Sequence, residues 1–130
     1  MTRDLVVDYL RTEGYVPQID PDGYVVFKCE GVTFLFFDNE NDEEFFQLAI
    51  PAIYEVTDDN REMVLEACNT ITRELKVVKC IVVNSSDGDS SSVWLFCEVF
   101  LDRDPKIDDI MNRCMPILQH SRRAFYEIIQ

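Results

Sequence analysis

The chain has 130 residues, 47% of them hydrophobic, with 25 acidic against 12 basic side chains and a formal net charge of −13. That length suits one domain spanning residues 1–130, and that apolar content excludes wholesale disorder. The charge argues against binding a nucleic-acid phosphate backbone, which needs clustered Lys and Arg, and against an anionic membrane surface.

In chain order, Thr2 to Glu13 is predicted helical. Leu5, Val6, Tyr9 and Leu10 share one face, Thr2 is placed to cap the start, and Gly14 suits the exit. Ile19 to Gly23 marks a turn. Tyr24 to Cys29 and Val32 to Phe37 are strand-like runs separated by Glu30-Gly31, the spacing of a tight hairpin. The run VTFLFF is apolar on both faces, which predicts a central strand covered on both sides. Asp38 to Glu44 is a polar loop. Phe45 to Tyr54 is the third strand, and Pro51 within it requires a bulge, an end or an edge.

A helix follows from Asp59. Asp59 and Glu62 have capping-box spacing, and Met63, Val64, Ala67, Cys68, Ile71 and Leu75 form its apolar face. Lys76 to Val83 changes to a β-branched run, a fourth strand. Asn84 to Ser92 is a turn, and Val93 to Leu101 is the fifth strand. Asp104-Pro105 is placed to open the last helix, whose apolar positions run from Ile107 to Ile129. Pro116 lies inside it and is expected to kink or split it. The order helix-β-β-β-helix-β-β-helix predicts the α+β class, an antiparallel sheet packed against helices.

No catalytic motif emerges. In the loop DNENDEE, Asp38, Glu40 and Asp42 occupy positions 1, 3 and 5 of a calcium-loop template, but Glu43 and Ala49 stand where Gly and Glu are required. His120 is the only histidine, too few for a multi-histidine metal site. Arg113, Arg122 and Arg123 suit the dipole of the late helix. Trp94 has apolar neighbours and is expected in the core. The five cysteines, Cys29, Cys68, Cys80, Cys97 and Cys114, form no Cys-x-x-Cys and read as small buried hydrophobes in a reducing compartment. The opening MTRDLVVDYL has no signal-peptide pattern, and no run of 18 apolar residues occurs. A cytoplasmic location is therefore expected. Acidity is uneven: residues 1–60 carry 14 acids and 3 bases, so that block favours a basic partner.

One stretch carries a resemblance. Near the end of the middle helix, Asn69 and Thr72 hold the places of an Asn-x-x-Asn pair, followed by Lys76 and Lys79 leading into a strand. With the element order, size and acidity, this resembles the YbjN family, candidate bacterial sensory transduction regulators, within the type III secretion chaperone-like fold. Thr72 replaces the family's second Asn. The resemblance implies a binding or regulatory module without enzymatic activity or cofactor. It further implies a partner or client protein and, as in the chaperone relatives, homodimerisation. Leu65, Asn69, Thr72 and Lys76 lie on one stripe of the helix, away from its apolar face. They are the candidate protein contact. The expected function is a protein-interaction module, chaperone-like or regulatory. The alternative is a small-ligand sensing domain with an apolar pocket between sheet and helices.

Overall fold

Alternating apolar side chains organise the molecule, because successive residues of a strand face opposite sides of a sheet. The structure, a computed structural model, describes residues 2–130. Its elements are α1 (Thr2–Thr12), β1 (Gln18–Ile19), β2 (Val25–Cys29), β3 (Val32–Phe36), β4 (Phe45–Val56), α2 (Arg61–Glu74), β5 (Val78–Asn84), β6 (Ser91–Phe100) and α3 (Ile107–Ile129). The six strands form one antiparallel sheet in the order β1-β2-β3-β4-β6-β5. This is the expected α+β arrangement, with β1 as an additional two-residue edge strand. β1 was hidden because Gln18-Ile19 is too short to show a period.

One face of the sheet carries the core. Val25 and Phe27, Phe34 and Phe36, Phe46, Leu48 and Ile50, Val78 and Cys80, and Val93, Leu95 and Cys97 are all buried there. They join Val6 and Leu10 of α1, Val64, Ala67, Cys68 and Ile71 of α2, and the inner side of α3 in one cluster. Five phenylalanines, at 27, 34, 36, 46 and 125, fill its centre. The centre of the helix side is therefore filled by side chains.

Several boundaries differ from the expectation for identifiable reasons. Thr2 lies inside α1 and spends its polar groups on Glu43: its N–H donates to Oε1 at 2.8 Å and its hydroxyl to the carbonyl at 2.6 Å. The N-cap of α2 is Asn60, so the Asp59–Glu62 box does not form. Instead, the Thr57 N–H donates to Asn60 Oδ1 at 2.7 Å, while the Asn60 N–H donates to Thr57 Oγ1 at 3.3 Å. Met63 is 46% exposed rather than buried. α3 starts at Ile107, two residues beyond Pro105, and runs unbroken through Pro116. Pro116 is exposed, so the carbonyl four residues earlier, left without an N–H donor, meets water.

Pro51 does impose a bulge. The β4–β6 register shifts between Ile50 and Tyr54, and Ala52 takes φ 49°. Beyond the bulge β4 seats the end of α3: the Tyr126 hydroxyl donates to the Ile53 carbonyl at 2.7 Å, and Tyr54 meets Phe125 edge-on at 5.6 Å.

The passage from α2 into β5 is strained. Val77 takes φ 72°, a left-handed conformation costly for a β-branched residue. Thr72 clamps this turn. Its Oγ1 accepts from the Cys80 N–H at 3.1 Å and donates to the Cys80 carbonyl at 3.4 Å. β5 is an edge strand, so Thr72 occupies an outward-facing pair of backbone groups near its start. Thr72→Val keeps the shape and removes both bonds; it is expected to lower stability by about 1–2 kcal/mol in urea unfolding. Asn69→Ala, one turn earlier and exposed, is expected to change it by less than about 0.5 kcal/mol.

Candidate functional site

Among the described residues, no helix covers the opposite face of the sheet. Its central row runs Val26, Leu35, Ala49, Phe96, Lys79 across β2, β3, β4, β6 and β5. Around this row stands an aromatic cluster. Trp94 and Phe96 stack at 5.9 Å, Phe37 and Phe96 stack at 5.9 Å, and Tyr24 meets Phe37 edge-on at 5.0 Å. Phe45 and Phe100 pair across β4 and β6 at the far end, and Phe100 is 86% exposed. Ile81, opposite Trp94, is also exposed. Trp94 is only half-buried and belongs to this face, not to the core as expected from its neighbours.

A polar trio, Lys79, Glu98 and Gln47, crosses the cluster. Lys79 Nζ lies 5.1 Å from the Phe96 ring centre and 2.9 Å from Glu98 Oε1, and Gln47 donates to Glu98 Oε2 at 2.7 Å. The Lys79–Glu98 pair is partly exposed and contributes little to stability. Its effect is to hold the Lys79 ammonium over the ring and give the apolar face one fixed charge pair.

The β3–β4 loop, which carries Asp38, Glu40, Asp42, Glu43 and Glu44, leaves the sheet just after Phe37 and re-enters at Phe45. Its carboxylates do not converge: among the described residues no group of three or more His, Cys, Asp or Glu is placed to hold a metal ion. The Asp38 side chain is 4% exposed and lies 3.5 Å from Arg3. Its Oδ1 is buried without a hydrogen-bond partner. Burial raises the Asp38 pKa; Arg3 opposes the shift, and Glu43, Glu40 and Asp4 reinforce it.

The stripe singled out on α2 divides. Leu65 is 49% exposed, and Asn69 and Lys76 are exposed beside it. Thr72 is engaged with Cys80, which carries the stripe to the free edge of β5. Lys79, from the same signature, lies on the open face. Sequence reasoning missed that face, although the residues at two-residue spacing in β6, Trp94, Phe96 and Phe100, were its signal. On α3, His120 is exposed, Ser121 donates to the Ile117 carbonyl at 2.8 Å, and Arg122 lies 4.9 Å from the Tyr126 ring centre. Separately, an open cleft of about 340 Å³ between α1, α3 and the β2–β3 hairpin is lined by Tyr9, Glu13, Tyr15, Cys29, Met115 and Arg123 among others. There the Tyr15 hydroxyl contacts Cys29 Sγ at 3.4 Å, and that contact together with burial pushes its pKa up to about 12.

No protein-family model matches the chain, and no curated protein sequence matches it. Among solved structures, YbjN from E. coli, described as a candidate transcription regulator, aligns with a TM-score of 0.60 at 11% identity, covering 97% of this chain and 87% of that one. The chain thus has a YbjN-like fold. At that identity the likeness concerns backbone architecture and transfers no residue's role. No helix among the described residues is long and apolar enough to cross a membrane.

The buried Asp38 yields a pH-dependent expectation. Its folded pKa stands above its unfolded value, near 3.8, so the native state holds the extra proton and stability falls as pH rises between the two values. Asp38→Asn is therefore expected to melt about 2–5 °C higher than the parent at pH 7 and to lose that advantage at pH 3. A lower melting temperature at pH 7 would show that the Arg3 pair outweighs burial.

Proposed function

We propose that this chain is a non-enzymatic protein-interaction module, chaperone-like or regulatory, which holds a segment of a partner protein against the open face of its sheet. The observation that carries the reading is the uncovered aromatic cluster running from Tyr24 and Phe37 to Trp94, Phe96 and the 86%-exposed Phe100. An apolar surface of this kind on a sheet is stable in water only at a cost that partner burial removes. The acidic β3–β4 loop at its end and the net charge of −13 select an apolar segment with Lys or Arg nearby. A face-on mode also fits the edge: Thr72 already occupies the backbone of Cys80 in the first half of β5, which disfavours strand addition there.

The fold is shared with a protein described as a candidate transcription regulator. With so acidic a chain, a regulatory role would run through a protein contact rather than through DNA. A cytoplasmic location suits five thiols without a disulfide.

Trp94 is the only tryptophan and stands on the proposed face, so it reports occupancy directly. Peptides alternating Leu and Lys are expected to shift its emission and to bind at least about tenfold more tightly than Leu–Glu counterparts. The double variant Ile81→Asp, Phe100→Asp is expected to weaken that binding at least about tenfold with little change in melting temperature, since both side chains are exposed. Equal binding of the two peptides, or an indifferent double variant, would sink the proposal.

Leu65, with Asn69 and Lys76, supplies a smaller contact for a second copy of the chain. Light scattering is expected to show Leu65→Asp shifted toward monomer relative to the parent; an unchanged mass distribution removes the stripe from the proposal. The small-ligand reading now rests on the surface cleft beside Tyr15 and Arg123. Native mass spectrometry of freshly purified protein tests it, and a clean apo mass counts against it.

A further inference from the structure

Four of the five cysteines are buried, and they are not scattered. Each lies on the helix-facing side, and each strand cysteine has a helix cysteine beside it. Cys97 of β6, flanked in the sheet by Leu48 and Val78, points at Cys114 of α3, with 2.8 Å between the sulfur atoms. That separation exceeds an S–S bond, about 2.05 Å, by less than the width of an atom. Cys80 of β5 and Cys68 of α2 form a second strand–helix pair of neighbouring thiols, each shifting the other's pKa. Packing alone asks only for small apolar groups at these positions and does not require sulfur to face sulfur.

We propose that Cys97 and Cys114 are a latent disulfide pair which, on oxidation, fastens α3 covalently to β6. The inference is independent of the docking proposal, because the pair lies on the helix side of the sheet and the open face lies on the other. The oxidant is a small disulfide of the glutathione class. The Cys114 thiolate attacks one sulfur of that disulfide, forms a mixed disulfide and releases one glutathione thiolate. The Cys97 thiol then passes its proton to the released glutathione thiolate and displaces the second glutathione, which leaves as a thiolate and is protonated by solvent. Two protein thiols and one glutathione disulfide become one protein disulfide and two glutathione thiols. Cys114 suits the attacking role: the hydrogen bond from Cys97 lowers its pKa, with help from Arg113, against the effect of burial. Both sulfurs are shielded from solvent, so the exchange passes through partial opening of α3 and is slow in the closed state.

The bond would close a loop between residues 17 apart in sequence, which restricts the unfolded chain. A rise in melting temperature on the order of 10 °C is expected. The test equilibrates the full chain in a glutathione redox buffer just below its denaturation midpoint, then alkylates, digests and maps it by mass spectrometry. The expected product is a Cys97–Cys114 linked peptide, two hydrogens lighter than its separate parts, together with a higher melting temperature that Cys114→Ser abolishes. If Cys114→Ser does not fold, the parent decides alone. Its Cys97–Cys114 linkage should form at least about tenfold more readily than in full denaturant, because folding holds the thiols together. The proposal is overturned if Cys97 and Cys114 are both alkylated after oxidation, if either is linked elsewhere instead, or if the linked form melts lower than the reduced one.

Discussion

Burial of alternate strand residues beneath three helices is the constraint on which the rest of the structure depends. A six-stranded sheet has two faces, and α1, α2 and α3 all join the cluster on one of them. The strands of the core must therefore each keep one alternating set of apolar residues on that side, and a slip by one residue would turn Phe34 and Phe36 outward. The bulge at Pro51 and Ala52 respects this rule: it absorbs extra backbone so that Ile50 and Tyr54 both stay on the helix side. The end of α3 closes on that bulge through Tyr126 and Phe125, so the seating of the longest helix and the register of the longest strand fix each other.

What the helices leave uncovered follows from the same constraint. The second face is apolar as well, but it has only its own side chains for cover. Phe96 and Ala49 are buried on this face, Phe96 between the rings of Phe37 and Trp94. Lys79 extends its stem and charge across Phe96 and is held there by Glu98. The face is thus partly self-sheltered at its centre and open toward Ile81 and Phe100. A surface graded in this way stays folded alone and still has apolar area to give to a partner.

Much of the architecture was legible in the sequence because period alone carries it. The α+β order, the hairpin at Glu30-Gly31 and a break in β4 at Pro51, read as a bulge, an end or an edge, all come from alternation, helical spacing and the missing N–H of proline. What stayed hidden depends on partners distant in sequence. VTFLFF shows that both faces of β3 are apolar, yet one face lies under helices and the other under stacked rings. For the same reason Trp94 looked like core. The cap of α2 is Asn60 rather than Asp59, since Asn60 also reaches the Glu55 carbonyl at the end of β4, a contact outside any capping pattern. Thr72 was singled out by its place in a family-like pair; its two bonds to Cys80 give that place a physical meaning, the clamp across the strained turn at Val77.

The attachments of α1 have a consequence for the order of events during synthesis. Its first residue is tied to Glu43, 41 positions later, and Tyr9 donates to Asn112 Oδ1 at 2.6 Å across 103 positions. Val6 and Leu10 belong to the same buried cluster as the inner side of α3. A helix that precedes every strand is therefore completed by one that follows them all. Through most of translation its apolar stripe remains unsheltered, and the nascent chain depends on a quiet surrounding or a holding factor until the long-range closure is complete.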